Sequence, residues 1–217
     1  MILFFVLSGF LITLLLIKEK AQTNNISLKS FYLRRILRVW PLYYLILLVS
    51  FLATDFQPST LSMVLCLSIF PNIGQAIGAA WTPSPQIWSI GVEEQFYAIW
   101  PLIVRSGRNL MVKLIAIFLF FTLTPRLLIL FISHEFPNSD IIGIISSVSY
   151  NLGFQCLAIG GIVAVFYSTP TYLNLLRVRK PMAWGLVLTP FFLWYGGITV
   201  PHFLDEFYAI LFGIAIL

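Results

Sequence analysis

Arg34, Arg35 and Arg38 stand close together and are followed by Trp40, Pro41, Tyr43 and Tyr44. On a helix, Arg34 and Arg38 are four apart and Arg35 and Arg38 three apart, so all three reach one locus. Guanidinium forks hold phosphate oxygens through charge-assisted, often bidentate hydrogen bonds. A phosphate-bearing donor is the ligand such a cluster would take. Arginines and aromatics also anchor helix ends at a membrane surface, and the residues alone leave both readings open. A second concentration is Trp88 to Tyr97, WSIGVEEQFY. At helical spacing Ser89, Glu93, Tyr97 and Trp100 share a face, and Glu94 points about 100° away. One face therefore offers a carboxylate beside a hydroxyl, a phenol and an indole. It suits a sugar or another polyhydroxyl ligand, and equally a buried hydrogen-bond network with no ligand.

These groups need elements to hold them, and the composition says which. The 217 residues are 59% hydrophobic and only 10% charged, with mean hydropathy +0.95. Soluble domains carry about 25% charged residues, so this chain could not cover itself in water. Disorder, collagen, coiled coil and secreted disulfide scaffolds are excluded. The apolar stretches are continuous and do not alternate with period two, which argues against an outer-membrane barrel. The expected fold is all-α: one polytopic membrane helical bundle over 1–217. Met1 leads straight into an apolar run with no preceding positive charge and no cleavage site, so a secretory signal is not indicated. Net charge +5 reflects basic loops rather than nucleic-acid binding. Cys66 and Cys156 lie in apolar runs as small buried side chains, and no metal-ligand cluster is evident.

About seven spans are expected, at roughly 2–17, 38–54, 88–104, 113–133, 141–167, 183–200 and 207–217. Leu61–Phe70 is apolar but too short to cross and reads as re-entrant or interfacial. With that parity, twelve of the thirteen Lys and Arg fall in three connections on one side. The opposite connections hold Asp55, Glu135, Asp140, Asp205 and Glu206 and no Lys or Arg. The positive-inside rule makes the basic side cytoplasmic. Gly160 and Ala164, four apart, read as a close helix contact.

Glu93, Glu94 and Arg126 fall within spans, where an unpaired charge costs roughly 2.5–3.5 kcal/mol. Counted from the outer ends, Glu93 lies roughly 7 Å deep and Arg126 roughly 10 Å. The matched depths predict that Arg126 pairs with Glu93 or Glu94 in the outer half-membrane. The arginines of 34–38 are expected at the inner rim.

Three blocks, LFFVLSGFLI at 3–12, FYLRRILRVWPLYYL at 31–45 and IWSIGVEEQFYAIWPL at 87–102, resemble the acyltransferase 3 family of membrane O-acyltransferases in order and spacing. Weaker agreement continues through LAIGGIVA at 157–164. The resemblance implies a bundle of roughly ten helices in the bacterial cytoplasmic membrane. It implies transfer of an acyl group, often acetyl, from acyl-CoA as co-substrate to a hydroxyl, with no bound cofactor. Acceptors in the family are commonly carbohydrates or lipid-linked glycans, such as lipopolysaccharide O-antigen, peptidoglycan or exopolysaccharide. By motif position Arg35, Arg38 and Glu93 carry over as catalytic residues. Ser8, Arg34, Tyr43, Trp88, Ser89, Glu94, Gln95, Tyr97 and Arg126 are the expected substrate-binding set.

The chain also departs from the family pattern. The first helix, with the family's catalytic histidine, is absent, and Ile2 stands where aspartate is usual. His134 and His202 lie in expected outer connections. Gly91 replaces a frequent serine, and Gly153 and Gln155 replace an arginine and an acid. An acceptor hydroxyl needs a base, worth roughly 10²–10⁴-fold, and arginine stays protonated. The expectation is that this chain alone transfers no acyl group, and supplies donor-binding arginines and part of an acceptor cavity. A transporter or flippase, or a non-catalytic membrane partner, would show similar intramembrane charges.

Overall fold

The computed structural model describes residues 2–106, 109–136 and 141–169. These form helices α1 (Ile2–Thr23), α2 (Leu28–Leu52), α3 (Thr60–Leu67), α4 (Pro71–Ala76), α5 (Ile87–Arg105), α6 (Leu110–Glu135), α7 (Ile141–Leu152) and α8 (Phe154–Tyr167), with no strand among the described residues. Helices are what an apolar chain must form in lipid, because each satisfies its backbone hydrogen bonds within itself.

Among the described residues, four stretches are long and apolar enough to cross a membrane: α1, α2, α6 and the run Ile141–Tyr167. The last is interrupted at Gly153, whose φ of +60° separates α7 from α8. α5 has 19 residues, about 28 Å at 1.5 Å per residue, but its two glutamates keep it outside that apolar set. α3 has eight residues, about 12 Å, in line with a piece too short to cross. The expected spans 183–200 and 207–217 lie outside the described residues. On α2, Leu37, Leu42, Leu45, Leu48 and Leu52 are all exposed. On α6 Leu119, Phe120, Leu123, Leu127, Leu130 and Phe131 are likewise exposed. Such rows of exposed apolar side chains are the faces that lipid would solvate.

The described residues divide into two compact units, one of 2–25, 103–106, 109–120 and 154–169, the other of 26–102, 121–136 and 141–153. In the first, α1 packs on α8. Phe5, Val6, Gly9, Phe10, Thr13 and Leu16 form the buried stripe of α1, facing Cys156 to Ala164 of α8. A Cβ on Gly9 would overlap the Leu157 carbonyl, and one on Gly160 would overlap the Val6 carbonyl and come 2.6 Å from the Phe10 nitrogen. Backbone thus lies on backbone, the close approach that small residues permit. Thr13 donates its hydroxyl to the Gly9 carbonyl at 2.6 Å. Lys20, at the polar end of α1, donates Nζ to the Arg105 carbonyl at 3.0 Å, a cation on the last carbonyls of α5. Asn24, with φ +56°, ends α1 in the left-handed conformation asparagine tolerates.

In the second unit the core is Tyr43, Leu47, Cys66, Ile69, Trp81 and Ile87, with Trp40, Tyr44 and Phe56 packed against it. The indole of Trp81 donates to the Ser50 hydroxyl at 2.8 Å. Ser59 caps α3, accepting from the Ser62 N–H at 3.1 Å. At its other end the phenols of Tyr43 and Tyr44 donate to the carbonyls of Cys66 and Leu67 at 2.7 and 2.9 Å. Both cysteines are free and buried.

Candidate functional site

α2 and α5 run antiparallel, as three side-chain bonds show. Tyr32 donates to the Ala98 carbonyl at 2.7 Å, and Arg35 and Trp40 reach Glu94 further along. Arg35 Nε donates to Glu94 Oε1 at 2.8 Å, and Nη2 to Glu93 Oε2 at 3.3 Å. Trp40 Nε1 donates to Glu94 Oε2 at 3.1 Å. The guanidinium carbon lies 3.4 Å from the centroid of the Tyr97 ring, a cation–π contact strengthened where water is scarce. Side-chain exposure is 19% for Arg35 and 11% for each glutamate. The fork is thus fixed on one edge by two carboxylates and on one face by an aromatic ring. A preorganised guanidinium of this kind costs little to reorganise when it meets a developing negative charge.

Beside this cluster is a cavity of about 290 Å³, near the lower end of small-molecule sites. Arg35, Glu94, Gln95, Ser68 and Tyr32 give it polar groups, and Ile36, Ile69, Phe70 and Ala98 give it apolar wall. Gln95 is held by Asn72 through two reciprocal amide bonds, Nε2 to Asn72 Oδ1 at 2.7 Å and Asn72 Nδ2 to Gln95 Oε1 at 3.2 Å. Asn72 is fully buried. Gly91 admits the Pro71 ring, since a Cβ there would sit 2.7 Å from Pro71 Cδ. That contact is why a serine does not fit at this position of this chain.

The structure corrects one expectation outright. Guanidinium and carboxylate do not stand in opposite halves of the membrane, because Arg35 touches both glutamates. The reason lies in where α2 begins. It starts at Leu28, ten residues before the expected span, so Arg35 lies inside the helix and not in a loop. Glu93 and Glu94 both meet Arg35, Glu94 also accepts from Trp40, and Arg126 donates Nη1 to the Thr122 carbonyl of its own helix at 3.1 Å.

The expected face of α5 is real. Glu93, Tyr97 and Trp100 are buried, and Ser89 donates to the Gln86 carbonyl at 2.9 Å in the first turn. Phe96 stacks on Trp100 with centroids 4.0 Å apart. Trp88 is half-buried at the start of α5. The three arginines do not converge: Arg35 turns to the glutamates, while Arg34 and Arg38 share an exposed face. Tyr43, 1% exposed, belongs to the core. Ser8 is half-buried on α1, in the first unit. Sequence reasoning missed Tyr32, Ser68, Ile69, Phe70 and Asn72. Only Asn72, a lone amide after Pro71 in an apolar stretch, left a signal.

Comparison with known proteins agrees with the three motif blocks. The family described as "Acyltransferase domain" (acyltransferase 3) matches residues 1–217. An uncharacterized protein of Haemophilus influenzae is 34% identical over 185 residues, 76% of this chain and 74% of that protein. A Staphylococcus aureus protein named "Putative O-acetyltransferase" and the peptidoglycan O-acetyltransferase OatA of Listeria monocytogenes are each 34% identical over 114 residues, 46% of this chain. The match spans only 19% and 18% of those two proteins' own lengths. No solved structure matches. Motif order, an all-helical apolar architecture and a full-length family match together place this chain in the acyltransferase 3 family of membrane acyltransferases.

Proposed function

We propose that this chain binds an acyl thioester, acetyl-CoA in the simplest case, for O-acylation of a carbohydrate or lipid-linked glycan hydroxyl. The carrying observation is the Arg35 fork, pinned by Glu93, Glu94 and Tyr97 at the edge of a largely apolar cavity. Apolar walls suit an acyl chain and its thioester arm better than a polyhydroxyl ring. The relatives' names supply the acceptor class: one acts on peptidoglycan. In the transfer, the hydroxyl oxygen forms a C–O bond to the acyl carbon, the C–S bond breaks, and the hydroxyl proton ends on the thiol of CoA. The tetrahedral intermediate places negative charge on the former carbonyl oxygen. Two of the five guanidinium N–H groups of Arg35 are engaged by the carboxylates, and those remaining are the donors for that oxygen.

Arg34 and Arg38, exposed on α2, would meet the phosphates of the donor. Basic connections then face the cytoplasm of a bacterium, and the domain sits in its cytoplasmic membrane. Both glutamates are committed to holding Arg35, so the base for the acceptor hydroxyl lies outside this cluster. The 217-residue chain alone is expected to bind donor without turning it over.

The test is equilibrium binding of a non-hydrolysable acetyl-CoA analogue to the purified chain in lipid nanodiscs. Saturable binding, weakened about tenfold or more by Arg35→Gln, is expected, since that loses a charge-assisted contact worth about 1.5–3 kcal/mol. Absence of saturable binding by the wild-type chain would overturn the reading.

A further inference from the structure

α3 ends at Leu67 with Ser68 as its C-cap, and the next residues complete a Schellman motif. Phe70 N–H donates to the Leu65 carbonyl at 2.7 Å and Ile69 N–H to the Cys66 carbonyl at 3.2 Å. The motif requires a left-handed residue at its turn, where glycine is usual. Here it is Ile69, with φ +64°. A β-branched residue in that region is a genuine outlier, and such strain persists only where the surroundings hold it. They do so here. Gln95 Nε2 donates to the Ile69 carbonyl at 3.3 Å, and Gln95 is itself locked by buried Asn72. A turn alone would be served by glycine without strain. Isoleucine keeps a side chain at that point, 9% exposed, in the wall of the cavity beside Arg35 and Glu94.

We propose that Ile69 is a specificity-determining residue: its strained placement sets the depth of the cavity and so the length of acyl chain the donor can carry. The inference rests on the reading above, that the cavity takes the acyl end of a thioester. Gln95 and Asn72 are then positioning residues, acting through the Ile69 backbone. Each methylene gained in an apolar site is worth about fourfold in affinity.

The experiment is competition binding of acetyl-, propionyl-, butyryl- and hexanoyl-CoA to the full chain in nanodiscs. Wild type is expected to favour the short chains. Ile69→Val, the conservative change that keeps the fold, is expected to raise propionyl over acetyl about fourfold, and Ile69→Ala to raise butyryl over acetyl about fifteenfold. Thermal unfolding adds a second readout. Ile69→Gly is expected to unfold at a higher temperature than Ile69→Ala, the reverse of their order in a helix, because only glycine relieves the positive φ. Folded Ile69→Val protein that binds acetyl-CoA with an unchanged propionyl-to-acetyl ratio would overturn the inference and leave the donor reading standing. Failure of wild type to bind any acyl-CoA would remove both.

Discussion

The contact of α1 with α8 and the junction of α2 with α5 solve the same problem in opposite ways. At the first, glycines bring two backbones together, and the stabilisation is close van der Waals contact. At the second, long side chains span the gap: an arginine, a tryptophan and a tyrosine from α2 reach two glutamates and a carbonyl on α5. Small residues leave no room for a ligand. Long polar ones hold their helices apart, and a cavity opens beside them. A family motif can therefore mark either a packing point or a chemical site, and Gly9 and Arg35 are one of each.

Each half of that contrast can be broken. The largest effect is expected from Gly160→Leu, which forces a branched side chain into the Val6 backbone. A loss of at least about 3 kcal/mol is expected, at the upper end of overpacking costs because backbone cannot yield. It would be read as loss of monodisperse protein in detergent. Next is Arg35→Gln, which leaves two glutamates without their guanidinium. About 2–3 kcal/mol is expected, below the fully buried range because the side chains keep some exposure. The double variant with Glu94→Gln should recover part of that loss in a thermal unfolding cycle. Asn72→Ala and Gln95→Ala should each cost about 1–2 kcal/mol and be strongly non-additive, since they remove the same two bonds.

The smallest effect sharpens the picture of α3. Burial pushes the Cys66 thiol up to about 11, so at pH 8 roughly a thousandth is thiolate, the reactive form. Maleimide labelling should be slow in the folded protein and fast once it is unfolded. Folding favours the neutral thiol, so its contribution to stability is full below the unfolded value near 9 and is lost as pH rises toward 11. A folded protein labelled at once at pH 7 would contradict this burial.

Much of this was legible in the residues. Composition and the spacing of apolar runs gave the helical membrane class, and polar residues stranded in apolar runs marked Arg35, Glu93 and Glu94. Gly160 read correctly as a packing point. The pairing was less legible, because charge counting placed the arginines in a loop. Nothing in FYLRRILR shows that the helix has already begun, since cationic early turns look like a cytoplasmic connection. Ile69 was beyond reach for another reason. A positive φ at isoleucine is held by Gln95, 26 residues away in sequence, and leaves no local signature.

Tyr43 and Tyr44 hold the last two carbonyls of α3 with consecutive phenols. Neighbours on a helix point about 100° apart, so the two bonds grip the short helix from two directions. That grip ties the C-terminal end of α3 to α2 through two hydrogen bonds. Fraying of α3 from this end must break both bonds, which stand just before the turn at Ile69.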